Sequence, residues 1–274
     1  YNSEINGSNS ILVTFDPHPR HVLQPEVKLP ILMHIDRKLD FLKSFNLNAV
    51  VLIPFDEEFS KMTANDFLKN IILKRLNASK VIVGYDHHFG FNRDGSPDFL
   101  KDESTNSNFE VEIVDPISDQ EMIISSTHIR QSIQNGYVRR ASFELGWVFG
   151  FEAKVVTGSG RGKELGFPTA NFDVSSDLCI PANGIYATFI YIGGKQYFSA
   201  TSIGTNPTFD FKQHTVETYI MNFEQNIYGL RPKLEFVSKL RDEIAFSSIE
   251  GLIEQMKHDV KKATNILRVS QGTI

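Results

Sequence analysis

A single cysteine, Cys179, in 274 residues excludes any disulfide within the chain and fits a reducing compartment. Cys179 lies in the apolar run Leu178-Cys179-Ile180-Pro181, where a buried thiol is expected rather than a nucleophile. No apolar stretch approaches the roughly 18 residues a membrane span needs. The start shows no basic-then-apolar signal pattern, so a cytoplasmic protein with no membrane partner is expected. Basic charge is also short: 28 Lys and Arg against 33 Asp and Glu leave a net charge of -5. That argues against a general nucleic-acid binder, which needs basic surface to displace counterions. Small anionic nucleotides stay open, because a few donors and a metal suffice for them. The histidine pairs His18/His21 and His87/His88 stand without HExxH or Cys/His spacing, and adjacent histidines on a strand point opposite ways, so zinc is not expected. The Asn-x-Ser triplets at Asn6 and Asn77 are expected to be chance.

What is present is a globular composition, 41% hydrophobic and 22% charged, with two rhythms. In the first half, apolar strand runs at Ile11 to Phe15, Ala49 to Ile53, Val81 to Gly84 and Phe109 to Val114 alternate with helical patterns at Asp36 to Phe45 and Thr63 to Leu76. Thr63 and Asp66 have capping-box spacing, with Asp for the usual Glu. This alternation predicts a doubly wound α/β domain with a parallel sheet, whose ligands gather beyond the carboxyl ends of the strands. In the second half, short strands are expected at Trp147 to Val156, Ile185 to Ile192, Gln196 to Ile203, Thr215 to Met221 and Lys233 to Val237. Gly158-Ser159-Gly160, Gly193-Gly194 and Asn206-Pro207 punctuate them. That predicts an antiparallel sheet or small β-barrel. A closing helix follows, capped by Ser247 and Glu250, with Ile249, Leu252, Ile253, Met256 and Val260 apolar. The seam is expected after a helix around Ile129 to Leu145, giving domains 1–144 and 145–274.

The richest stretch runs from Gly158 through Gly160, Arg161, Gly162 and Lys163 to Pro168-Thr169-Ala170-Asn171. Glycines let a backbone approach phosphate oxygens, and Arg161 and Lys163 add positive charge. It is neither a Walker A loop nor GxGxxG, since Glu164 stands where Ser or Thr is needed. On glycine content alone a hairpin loop is the better reading. Thr169 and Asn171, two residues apart on an extended chain, point the same way and offer oxygen to a hard cation; a turn is the alternative.

The segment GxGRGxxLGFPTAN resembles the signature of riboflavin kinases, and further landmarks follow in that family's order. They are Asn183-Gly184-Ile185-Tyr186-Ala187, Ser202 to Phe209, Val216-Glu217-Thr218-Tyr219-Ile220, Tyr228-Gly229, Glu235-Phe236 and Lys239-Leu240-Arg241-Asp242-Glu243. The resemblance spans Gly146 to the closing helix and implies a six-stranded type of β-barrel. It implies that Thr169 and Asn171 bind Mg2+ with the ATP phosphates, with Pro168 and the glycine loop beside them. It also implies Glu217 as the base that takes the proton of the riboflavin hydroxyl, and Arg241 as a flavin contact. A metal, an in-line nucleophile and a positioned base are what phosphoryl transfer requires. Taken alone, Glu217 reads better as a strand-edge carboxylate facing water.

Three blocks of the first half end strands or start a helix: Phe15-Asp16-Pro17-His18, Val83 to Gly90 with Asp86, and Ser125-Ser126-Thr127-His128-Ile129-Arg130. Serine and threonine at a helix start cap it, and also present hydroxyl and N–H groups to phosphate. Together they resemble the FMN adenylyltransferase domain that precedes the kinase in bifunctional bacterial flavin synthetases. In that family AMP from ATP passes to FMN, giving FAD and pyrophosphate. The family's opening GxFDGxHxGH loop has no match here, and Tyr1 to Ser10 reads as a domain entered midway. The expectation is a chain that makes FMN and little FAD. Rival readings are a riboflavin kinase only, or a flavin- or nucleotide-binding protein with an inactive first domain.

Overall fold

The computed structural model describes residues 7–27, 29–158, 160–205 and 214–271. Asn6, Ser159 and the Asn206 to Phe209 part of the kinase-like landmarks lie outside the described residues. The chain divides into two compact units, Tyr1–Leu29 with His34–Ile124, and Pro30–Met33 with Ser125–Ile274.

In the first unit β1 (Ile11–Asp16) pairs in parallel with β2 (Ala49–Pro54). Likewise β3 (Lys80–Gly84) pairs in parallel with β4 (Glu110–Val114). The parallel pairing expected from the alternation is present as two separate ladders among the described residues, with a small hairpin of β5 (Ser118–Asp119) and β6 (Met122–Ile123) after them. The helix Ile35–Leu42 ends in a tight turn through Phe45, where Asn46 takes a left-handed conformation. At Thr63 the hydroxyl accepts from the Asp66 amide at 3.1 Å, which satisfies a helix-start N–H. The helix beyond it then widens into a π-helix over Phe67–Leu73. Leu68, Leu100 and Phe109 form the buried centre of this unit, with Val81, Val83 and Val111 packed on it. His87 and His88 lie past the end of β3 in a loop, as expected of the block that ends that strand.

The second unit opens with two helices, Ser126–Gln134 and Val138–Leu145, where one was expected. The break falls at Gly136, whose φ of +82 suits glycine, and a side chain there would press on Lys239 and the Tyr186 hydroxyl. Seven strands follow in the spatial order β7-β13-β10-β11-β12-β9-β8. They are β7 (Gly150–Glu152), β8 (Lys154–Val156), β9 (Thr169–Asp173), β10 (Gly184–Ile192), β11 (Lys195–Thr205), β12 (His214–Ile220) and β13 (Lys233–Arg241). All their pairings are antiparallel. The two edges, β7 and β8, are separated in sequence by Ala153 alone. One trans peptide step is about 3.8 Å, so the edges cannot part and the sheet must curl round. Counted as one strand bent at Ala153, β7 and β8 give the six-stranded barrel form that the resemblance implies.

Tyr186, Thr188, Ile190, Ser199, Thr201, Ile203 and Thr218 are fully buried and fill the inside of the curl. On the opposite face Ala187, Phe189, Met221 and Leu240 pack against Ala263 and Leu267 of the C-terminal helix, Ile249–Gln271. That helix is capped by Ser248, whose hydroxyl accepts from the Gly251 amide at 3.1 Å, and not by Ser247 with Glu250. Its first apolar residue, Ile249, is exposed, whereas Asp259 is buried; the helix meets the sheet through its second half.

Candidate active site

Antiparallel partners stand directly opposite and share a face of the sheet. Six of them line up across the second unit: Val156, Asn171, Glu217, Ser202, Ile185 and Arg241, on β8, β9, β12, β11, β10 and β13. Each is half-buried. Their chain neighbours Val155, Ala170, Val216, Thr201, Ile203 and Tyr186 are buried. The row is therefore a shallow polar strip on the face that the C-terminal helix covers further along. Residues separated by as many as 85 positions meet in it, counting from Val156 to Arg241 (241 minus 156).

Thr169 and Asn171 point the same way on β9, with buried Ala170 between them turned inward. The Thr169 hydroxyl donates to Glu217 Oε2 at 3.1 Å. A hydroxyl has one proton and two lone pairs, so a proton committed to Glu217 leaves the Thr169 lone pairs for another ligand. Two glycines make room for this arrangement. A Cβ on Gly158 would lie 2.1 Å from Asn171 Nδ2, and a Cβ on Gly162 would lie 2.4 Å from the Phe167 carbonyl oxygen. The Phe167 amide donates to the Gly162 carbonyl at 2.8 Å, which folds the glycine-rich loop back on the entry to β9. Gly160 has a φ of +77 and starts the short turn Arg161–Glu164. Arg161, Lys163 and Pro168 are exposed along its rim. Beside Thr169 opens a cavity of about 330 Å³ walled by Val155, Pro168, Ile220, Phe223 and Tyr228.

At the other end of the row Arg241 is held rather than free. Its Nε and Nη2 donate to the Asp259 carboxylate, at 3.0 Å and 2.7 Å to Oδ2. Its Nη1 donates to the Asp242 carbonyl at 2.9 Å. The ring of Phe246 lies 5.9 Å from the guanidinium carbon.

In the first unit Phe15, Asp16, Pro17 and His18 lie at the carboxyl end of β1, and Asp86 follows the end of β3. The Phe15 ring packs edge-on to Phe55 at 5.5 Å and near Phe59 at 5.8 Å. His18 Nδ1 accepts from the Arg20 amide at 3.2 Å, capping the helix Pro19–Leu23. Sequence reasoning missed Lys38, whose Nζ donates to the Thr14 hydroxyl at 2.6 Å. Burial pushes its pKa below the usual lysine value, with Asp16 opposing. A lysine in a helix full of polar residues gives no local sign of facing a strand end.

Ser125, Ser126, Thr127 and Arg130 belong to the second unit. The Ser125 hydroxyl accepts from the His128 amide at 3.2 Å, so it caps its helix. Arg130 Nε donates to the Pro30 carbonyl at 2.6 Å. Cys179 is buried, and burial pushes its thiol up to about 12. That makes it a packing residue rather than a nucleophile.

Two family models match the chain: FAD synthetase over residues 2–128 and riboflavin kinase over residues 145–267. A bifunctional riboflavin kinase/FMN adenylyltransferase of Listeria monocytogenes is 32% identical over 255 residues, covering 92% of this chain and 81% of that protein. One from Buchnera aphidicola is 32% identical over 269 residues, covering 96% and 86%. A crystal structure described as a macrolide-efflux protein from Streptococcus pneumoniae superposes with a TM-score of 0.88 at 30% identity, covering 96% of this chain and 86% of that one. Among the described residues no helix is long and apolar enough to cross a membrane.

Proposed function

The chain belongs to the bifunctional riboflavin kinase/FMN adenylyltransferase family, and from that premise we propose which residues carry the two reactions. It is an enzyme of flavin cofactor biosynthesis: ATP phosphorylates riboflavin to FMN, and a second ATP adenylylates FMN to FAD with release of pyrophosphate. Functionally, residues 1–144 serve adenylyl transfer and residues 145–274 serve the kinase reaction. Its lone buried cysteine suits the cytoplasm.

In the kinase reaction the riboflavin 5′-hydroxyl oxygen attacks the γ-phosphorus of ATP. The bond from that phosphorus to the β,γ-bridging oxygen breaks, and ADP leaves. Glu217 takes the hydroxyl proton as the new P–O bond forms. The observation that carries this reading is the short link between Thr169 and Glu217, 3.1 Å, at the centre of the cross-strand row. It puts a carboxylate beside two neutral oxygen donors, the set that a hard cation and a nucleotide need.

The residues fit Mg2+: Thr169 and Asn171 supply oxygen from one face of β9, and the missing side chain at Gly158 lets the loop pass against the Asn171 amide. When bound, the ion would neutralise phosphate charge. Gly160, Gly162, Arg161 and Lys163 frame the phosphates, and the walled cavity beside Thr169 takes the base of ATP. Arg241 contacts the flavin. Three strand spacings separate it from Glu217 along the row, roughly 14 Å at 4.7–4.9 Å each, a gap suited to a flat ring joined to a hydroxylated chain. For adenylyl transfer, the first unit offers Phe15, Asp16, Pro17, His18 and Asp86 at its strand ends to the nucleotide; in the second unit, Ser125, Ser126, Thr127 and Arg130 at a helix start offer hydroxyl, N–H and guanidinium groups to phosphate.

Glu217→Gln tests the kinase assignment. Flavin chromatography after incubation with ATP and Mg2+ is expected to show FMN formation reduced 10²- to 10⁴-fold, the usual contribution of a positioned base. Riboflavin affinity is expected to hold. Wild-type turnover in this variant removes Glu217 from the role of base.

A further inference from the structure

The Arg241–Asp259 pair is unusual for a ligand-binding arginine, because its partner is almost entirely out of water. Asp259 is 4% exposed and projects from the C-terminal helix. Gln255 Nε2 donates to its Oδ1 at 2.9 Å. Nearby, Lys262 Nζ donates to the Leu240 carbonyl at 2.7 Å. The helix therefore grips the end of β13 at Leu240 and again at Arg241, which fixes the guanidinium against the row that leads to Glu217.

A guanidinium carries five N–H donors and is never deprotonated in a protein. Asp259 takes Nε and one hydrogen of Nη2, and the Asp242 carbonyl takes one hydrogen of Nη1. Among the described residues, one N–H on each of Nη1 and Nη2 remains. The edge that would fork a phosphate through Nε and Nη2 is already filled. What the strip meets is a donor pair whose positive charge is cancelled beneath it.

This matters for a kinase whose substrate is neutral and whose product carries nearly two negative charges. An uncompensated arginine in the flavin site would hold the product better than the substrate. We propose that Asp259 is a specificity-determining residue: by pairing with Arg241 it cancels that arginine's charge at the flavin end of the site, so that riboflavin is bound and FMN released. The proposal rests on the placement of flavin at Arg241 given above.

The test uses the full chain and flavin fluorescence titrations with riboflavin and with FMN at low and high salt. Asp259→Asn keeps the shape and the Gln255 contact and removes the charge. FMN is expected to bind about tenfold more tightly relative to riboflavin, from an unmasked charge acting over roughly 10–14 Å at intermediate dielectric. Half-molar salt is expected to erase most of that gain, and FMN is expected to become a stronger product inhibitor. A merely structural role predicts that both flavins weaken by the same factor, and that result overturns the proposal, as does an unchanged ratio. Should Asp259→Asn fail to fold, Gln255→Lys, on a half-buried position, draws the carboxylate away from Arg241. It is expected to move the ratio in the same direction by a smaller amount, and an unmoved ratio overturns the proposal too. Arg241→Gln separates the premise: unchanged riboflavin affinity there removes flavin from Arg241 whatever Asp259 does.

Discussion

Gly158→Ala isolates the kinase site from the stability of the sheet. Gly158 does not have a positive φ, and the new methyl would lie 2.1 Å from Nδ2, 2.3 Å from Cγ and 2.6 Å from Oδ1 of Asn171. Ordinary contact begins near 3.4 Å, so the Asn171 amide must retreat by roughly 1.3 Å, the difference of 3.4 and 2.1. A misplacement of about 1 Å at a reacting centre costs on the order of 10²-fold. FMN formation is therefore expected to lose about 100-fold in kcat/KM, seen chiefly as a raised requirement for MgATP, while riboflavin still binds. The loop lies outside the strands, so unfolding by urea, followed through Trp147, is expected to shift by no more than about 0.5 kcal/mol. Gly150→Ala is the contrast. Its methyl would also meet an atom at 2.1 Å, but that atom is the backbone oxygen of Leu234 in the partner strand, so stability falls instead. Asn171→Ala added to Gly158→Ala is expected to cost little more, because both remove the same contact. Wild-type kcat/KM in Gly158→Ala, or a stability loss matching Gly150→Ala, refutes this reasoning.

Three further outcomes follow from buried groups. Inside the curl, Ser199 donates to the Thr188 carbonyl, which makes Thr188 the donor to Ser199, Thr201 the donor to Thr188 and Thr218 the donor to Thr201, at 2.7–2.9 Å. Thr201→Val leaves the Thr218 hydroxyl without an acceptor and is expected to cost about 1–3 kcal/mol in urea unfolding; a loss below about 0.5 kcal/mol contradicts the chain. Burial first, and the Glu235 carboxylate second, push the Tyr191 phenol from 10.0 to about 12. Its contribution is thus full below pH 10 and is lost as pH rises toward 12, because the unfolded chain gives up that proton first. Tyr191→Phe is expected to flatten this alkaline fall in stability, and an unchanged slope counts against it. Native Cys179 is expected to resist iodoacetamide at pH 8 and to react at once in denaturant; equal rates would place the thiol at the surface.

Much of the second unit was legible because its signals are local. Strand starts at Lys195, His214 and Lys233 fall within two residues of the expected positions. The alternation of Thr169, Ala170 and Asn171 gave the facing of β9, because successive side chains on a strand turn to opposite sides. Thr63 as a helix cap was readable from spacing alone. Where capping depends on the exact first helical residue, neighbouring serines are ambiguous, and Ser248 took the place expected for Ser247.

Sequence by itself determined which residue types were available: two oxygen donors on one strand face, a carboxylate on a second strand, and glycines where the chain must pass close. Only the tertiary structure decided that Asn171, Glu217, Ser202, Ile185 and Arg241 stand in one line, because strand register is set by pairing between distant segments. Burial of Asp259 was equally out of reach. On a helix read by period, an aspartate among lysines and glutamates looks solvated, and it is the close approach of β13 carrying Arg241 that takes it out of water.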